Sequence, residues 1–110
     1  MTTNYKTLGQ LAAGSVTNET LYTVPSATES VVSTITICNR GTAAASYRIA
    51  VRPDGTALGN NHYVAYDASV AGNDTIALTL GLTMNASDIL ATYASTANLT
   101  FNAFGAEVTA

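Results

Sequence analysis

Apolar residues in this chain recur with period two, in short runs cut by Gly, Asn, Asp and Pro. That spacing constrains the fold more than any other feature. Successive side chains of a strand point to opposite faces, so alternation makes a half-buried strand, whereas a helix needs apolar residues three and four apart. From Ser30 to Asn39 the chain reads SVVSTITICN, which places Val31, Ile35 and Ile37 on one face and Thr34, Thr36 and Cys38 on the other. Asn39 to Thr42 reads as a turn. From Ala45 to Arg52, Tyr47, Ile49 and Val51 share one face, and Arg48, Ala50 and Arg52 the opposite one. Pro53-Asp54-Gly55 ends that run, because Pro fixes φ and Gly tolerates positive φ.

The strongest alternation runs from Thr75 to Met84, with Ile76, Leu78, Leu80, Leu82 and Met84 pointing one way. Further strands are expected at Lys6 to Ala12, Asn18 to Val24, His62 to Asp67, Ile89 to Ala94 and Asn98 to Phe104, with a short last one around Glu107 and Val108. The connections are too short for the crossover helices of parallel units. About eight short strands over 1–110 therefore predict an all-β fold, a single-domain antiparallel β-sandwich of jelly-roll type. The predicted core is Ile35, Ile37, Ile49, Val51, Leu78, Leu80 and Phe101.

Only 10% of the residues are charged, against roughly 25% in a typical soluble domain. The wealth of Val, Ile, Thr and Tyr argues against disorder as the reason. The surface must then be largely Thr, Ser, Asn and Ala, which suits packing against another protein. The net charge is −3, and the cations are Lys6, Arg40, Arg48 and Arg52 alone. They cannot neutralise a run of phosphates or form a membrane-binding patch, so neither nucleic acid nor membrane is expected as a partner. No apolar stretch reaches membrane-spanning length. The first residues, MTTNYKTLGQ, lack the pattern of a secretory leader, so synthesis in a cytoplasm is expected.

Catalytic chemistry finds few candidates. His62 is the only histidine, and Cys38 the only cysteine, expected as a buried inert thiol. One thiol and one imidazole make no metal cluster. The seven acidic residues are scattered, mostly beside turns. No phosphate-cradling glycine loop or nucleophile elbow occurs. The chain is therefore expected not to be an enzyme and to need no cofactor or metal. The candidate functional residues are interfacial: Arg48, Arg52, Arg40, Tyr63 and Tyr66. Arginine's planar fork suits carboxylate pairing at an interface, and an intrachain partner such as Asp54 or Asp67 is the competing destination. Alternation puts Tyr63 and Tyr66 on opposite faces, so that one of them reaches the surface.

The segments LYTVP (Leu21 to Pro25), VVSTITICNRG (Val31 to Gly41), YRIAVRPDG (Tyr47 to Gly55), YVAYD (Tyr63 to Asp67), TIALTLGLTM (Thr75 to Met84) and FGAEVT (Phe104 to Thr109) resemble small virion proteins of tailed phages, particularly those infecting cyanobacteria. The resemblance runs through nearly the whole chain. Such proteins occur as stand-alone head decoration (cement) proteins and as distal modules of tail fibres or spikes. The resemblance implies a β-sandwich made in the host cytoplasm that assembles as a homotrimer on the outer capsid surface of the virion, with the major capsid protein as partner. The alternative it leaves open is a receptor- or glycan-binding module of a tail fibre or spike. Tyr63, Tyr66, Asn60 and Asn61 would then lie together at one end of the sandwich.

Overall fold

In the computed structural model, which describes residues 1–109, the alternating runs form nine strands. They are β1 (Thr2–Ala12), β2 (Thr17–Thr23), β3 (Thr28–Asn39), β4 (Ala45–Arg52), β5 (Tyr63–Val70), β6 (Thr75–Leu78), β7 (Leu82–Met84), β8 (Ile89–Ala94) and β9 (Leu99–Thr109). One sheet has the order β1-β9-β3-β6, with β7 also paired to β3, and the other has the order β2-β8-β4-β5. If β6 and β7 are counted as one broken strand, consecutive strands distribute between the two layers as in a jelly roll.

The expected strand from Thr75 to Met84 breaks because Gly81 adopts φ +63, a left-handed conformation that only glycine takes without strain. Ile76 and Leu78 lie opposite Ile37 and Ile35, and Leu82 lies opposite Val32. Leu80 falls in the break and is 42% exposed, so it does not belong to the core. The two segments expected near the C-terminus are instead one continuous strand, β9.

A second correction concerns β3. Val32 is buried and Val31 is exposed, the reverse of the phase that alternation from Ile35 assigns. Ser33 is an extra residue: Val32 opposes Gly105 and Thr34 opposes Phe104, so one step on β9 faces two on β3. A bulge of this kind shifts the side-chain period by one residue. Its hydroxyl donates to the Phe104 carbonyl at 3.1 Å and fixes the irregularity. Leu8 is a second extra residue, on β1, across the next step of β9, from Phe104 to Ala103. The two bulges together keep β9 regular and reset both of its neighbours.

Between the layers Ile35, Ile37, Ile49, Leu90, Leu99 and Phe101 are essentially inaccessible. Val51 and Leu78 are only partly covered and pack at the margin of this core. Tyr47 of β4 meets Phe101 of β9 edge to face at 6.4 Å, joining the central strands of the two sheets. The turn expected after Asn39 is organised by its buried side chain. Asn39 Nδ2 donates to the Ala43 carbonyl at 2.8 Å, and Oδ1 accepts from the Gly41 N–H at 2.9 Å. Cys38, expected in the interior, lies partly exposed on the outer side of β3 between Thr100 and Thr75.

Thr92 points into the core opposite Ile49, and its buried hydroxyl has no hydrogen-bond partner. An unpaired buried hydroxyl costs about 1–3 kcal/mol. Thr92→Val, which puts a methyl in its place, should therefore raise stability by about 1 kcal/mol. Chemical denaturation of the two proteins checks this; a loss of stability would mean that the hydroxyl has a partner.

Candidate functional site

The two outer faces of the sandwich differ in chemistry. On the outside of the first sheet, register aligns five rows of three side chains across β1, β9 and β3. They are Thr3-Val108-Glu29, Tyr5-Ala106-Val31, Thr7-Phe104-Thr34, Gln10-Asn102-Thr36 and Ala12-Thr100-Cys38. Glu29 is the only charged residue among the fifteen. Tyr5 and Val31 flank the small Ala106, and Phe104 and Val108 sit above and below it on β9. The result is an open apolar groove of about 600 Å³. The bulge at Ser33 is what turns Val31 outward to form one wall. Gly105 is obligatory beneath it, because a Cβ there would lie 1.9 Å from the Val31 carbonyl oxygen.

The other outer face carries Arg48, Arg52, Tyr63 and Tyr66 of the residues singled out by sequence, but not Arg40. Arg48 Nε donates to Asp67 Oδ1 at 2.7 Å, and its guanidinium lies 4.2 Å from the Tyr66 ring centre and 4.3 Å from that of Tyr93. The hydrogen bond to Asp67 raises the guanidinium's pKa above its ordinary value, so Arg48 stays charged. Tyr63 meets Tyr66 edge to face at 4.8 Å. These two tyrosines thus share a face, contrary to simple alternation. Two irregularities in β5 are the cause: Tyr66 and Asp67 together oppose Arg48, and Val64 is extra between Tyr63 and Ala65. Asp67 takes φ 51 at the first of them, which lets its carboxylate turn back to Arg48.

The remaining candidates are committed locally. Arg52 Nε donates to the Thr56 carbonyl at 2.7 Å and its second nitrogen to the Gly55 carbonyl at 3.1 Å, holding the loop that follows β4. Arg40 donates to Thr100 Oγ1 at 3.0 Å and to the Ala97 carbonyl at 2.9 Å. His62 Nδ1 accepts the Gly59 N–H at 3.0 Å, a structural contact in the short 3-10 turn Asn60–His62. Asn60, Tyr63 and Tyr66 line one shallow depression of about 320 Å³. Asn61 is not part of its lining.

A buried polar cluster joins the sheets at the opposite end of β9 from Phe101. The Tyr22 hydroxyl donates to Glu107 Oε2 at 2.5 Å and lies 2.7 Å from Ser30 Oγ, while Lys6 Nζ donates to Glu107 Oε1 at 3.2 Å. The hydrogen bond from Tyr22, aided by Lys6, lowers the Glu107 carboxyl below its ordinary value against the opposing effect of burial. Burial, with the carboxylate beside it, pushes the Tyr22 hydroxyl up to about 12. The cluster links β1, β2, β3 and β9, and every member has a partner, so it acts as a lock between layers. Among the described residues no group of three or more His, Cys, Asp or Glu side chains could hold a metal ion.

Sequence reasoning missed the apolar groove. Its signal was Phe104, whose position is out of phase with Leu99, Phe101 and Ala103 in the same strand. Comparison of the sequence with protein-family models gives no match, and comparison with curated proteins gives none either.

Proposed function

We propose that this chain is a non-catalytic structural protein of a tailed-phage virion, a decoration (cement) protein that assembles as a homotrimer on the outer surface of the capsid. The observation that carries this reading is the outer face of β1, β9 and β3, with one charged residue among fifteen and an apolar groove walled by Tyr5, Val31, Phe104 and Val108. Charge is confined to the margins of this face, at Glu29, at Lys6 beside the groove and paired with Glu107, and at Arg40 bonded to Thr100. Charge depletion with aromatic enrichment marks the centre of protein interfaces. The groove is open along the sheet, a shape that receives a protein ridge better than it encloses a small molecule. Arg48 and Arg52, engaged within the chain, leave the opposite face as a firm polar surface, while Arg40 is held at the end of the β3–β9 side by Thr100 and the Ala97 carbonyl.

Co-sedimentation with isolated capsids tests the reading. Val31→Lys combined with Phe104→Lys should weaken attachment about tenfold or more, as loss of interface anchors does. Arg48→Ala on the other face should bind capsids like the parent. Equal binding by the double variant would reject this face as the contact.

The receptor- or glycan-binding reading has one specific observation in its favour. Three of its four residues, Asn60, Tyr63 and Tyr66, share a depression, and Tyr66 is 57% exposed. Binding of host-cell glycans that is lost in Tyr66→Ala, without capsid attachment, would favour it.

A further inference from the structure

Four strand edges bound the two sheets, and they are unequally defended. In the β2-β8-β4-β5 sheet, a bulge at Leu21 interrupts β2, and two irregularities with Asp67 at φ 51 interrupt β5. The outer edge beyond β3 is split into β6 and β7, of four and three residues, with Gly81 between them. Bulges and very short strands stop a neighbouring chain from pairing. The first half of β1 has no such device. Thr2 to Thr7 pair with β9 in unbroken register, and β9 is the only strand beside them in the sheet. Further on, Gly9 of β1 lies against the Leu21 carbonyl of β2. All six residues are exposed, none is proline, and the one charge, Lys6, is paired with Glu107.

We infer that this edge pairs with the same edge of a second copy, antiparallel about a two-fold axis through Tyr5. Residues directly opposed across an antiparallel pair share a face. Thr3, Tyr5 and Thr7 lie on the outer face and alternate with Asn4 and Lys6. Centring the axis on Tyr5 sets Tyr5 against Tyr5, Thr3 against Thr7, and Asn4 against Lys6. The cation then meets an amide. Centring the axis on Lys6 would set two ammonium groups directly opposite, which is unfavourable. Tyr5 is 86% exposed in the single chain, and the pairing supplies an aromatic neighbour for it. Two copies then share one continuous sheet, and the contact is isologous. It uses a single edge, so it leaves the rest of the surface available to the three-fold assembly proposed above.

Light scattering coupled to size-exclusion chromatography of the purified chain across the micromolar range tests this. The expected species are even-numbered: a dimer, or a hexamer where the three-fold contact also forms. Tyr5→Lys places like charges across the axis and should halve the mass, with an unchanged circular dichroism spectrum and melting temperature. Thr83→Lys, in the same row as Tyr5 but beyond β3, should leave the mass unchanged. With Cys38→Ser as background, Tyr5→Cys should oxidise to a covalent dimer and Thr83→Cys should not. A wild type that is monomeric or purely trimeric overturns the proposal, as does an unaltered mass for Tyr5→Lys. A monomeric wild type overturns the proposal whatever Tyr5→Lys does to capsid attachment, because Tyr5 also walls the groove assigned above to the capsid.

Discussion

Ile37→Ala should lower the unfolding free energy by about 2–5 kcal/mol, whereas Leu80→Ala should cost less than about 1 kcal/mol. Both residues are large aliphatics in runs that alternate in the sequence. Ile37 is inaccessible between the sheets, opposite Phe101 on one side and Ile76 on the other. Truncating it removes buried apolar surface and leaves a cavity in a region held by both layers, where little can collapse to fill it. Leu80 lies beside Gly81 in the break between β6 and β7, with much of its side chain already in water. Urea or guanidinium titration of the two variants measures the contrast. Similar losses for both would mean that β6 and β7 form one unbroken strand with Leu80 turned inward.

Glu107→Gln should cost about 1.5–3 kcal/mol at neutral pH, because it removes the charge from a buried acceptor of two hydrogen bonds. Most of that loss comes from the Tyr22 contact. Lys6 is 48% exposed at its side chain, and an ion pair so open to water contributes little. The same cluster sets a pH dependence with two limbs. The Glu107 carboxyl is lowered in the folded state, so as pH falls the unfolded chain takes up this proton first. Its contribution is complete above the ordinary carboxylate range and disappears as pH falls through that range to the folded value. The Tyr22 hydroxyl is raised from 10.0 to about 12, so the unfolded chain releases that proton first as pH rises. Stability therefore declines between about pH 10 and 12. Denaturant titrations across pH should show Glu107→Gln flattening the acid limb and Tyr22→Phe flattening the alkaline one. Unchanged slopes in both variants would show that the cluster does not couple the sheets.

The strand pattern of this fold was legible wherever pairing is regular. Tyr47, Ile49, Ile35, Ile37 and Phe101 alternate without interruption, and each is buried as its phase requires. The limits of β4 and β8 coincide with the runs read from the sequence. Legibility ended at the bulges. Val31 and Val32 are adjacent and chemically equal, and which of them turns inward is decided by Ser33 against the Phe104–Gly105 step of β9, some seventy residues away in sequence. Period two cannot show this, because a bulge is a property of a pair of strands. Leu8 on β1 and the irregularities of β5 follow the same logic, and the latter bring Tyr63 and Tyr66 to one face.

The candidate surfaces divide in the same way. The arginine pair on the outer side of β4 was visible from its spacing, and Asp67 was one of the two intrachain partners that composition offered Arg48. The apolar groove was not visible, since Tyr5, Val31, Phe104 and Val108 come from three separated segments and meet only once register is set. Under the attachment role proposed above, the groove is the feature that sets this domain apart from a plain sandwich. Its outward-turned residues leave the core intact and expose apolar area that a solitary domain has reason to cover.

Imaging of purified particles at a resolution that separates the two sheets tests the attachment role most directly. The expected result is many copies of this domain arrayed over the head, each with β1, β9 and β3 turned toward the capsid and the Arg48–Tyr66 face turned to solvent. A few copies confined to the tail, or a head-bound domain with the opposite face against the shell, would contradict it.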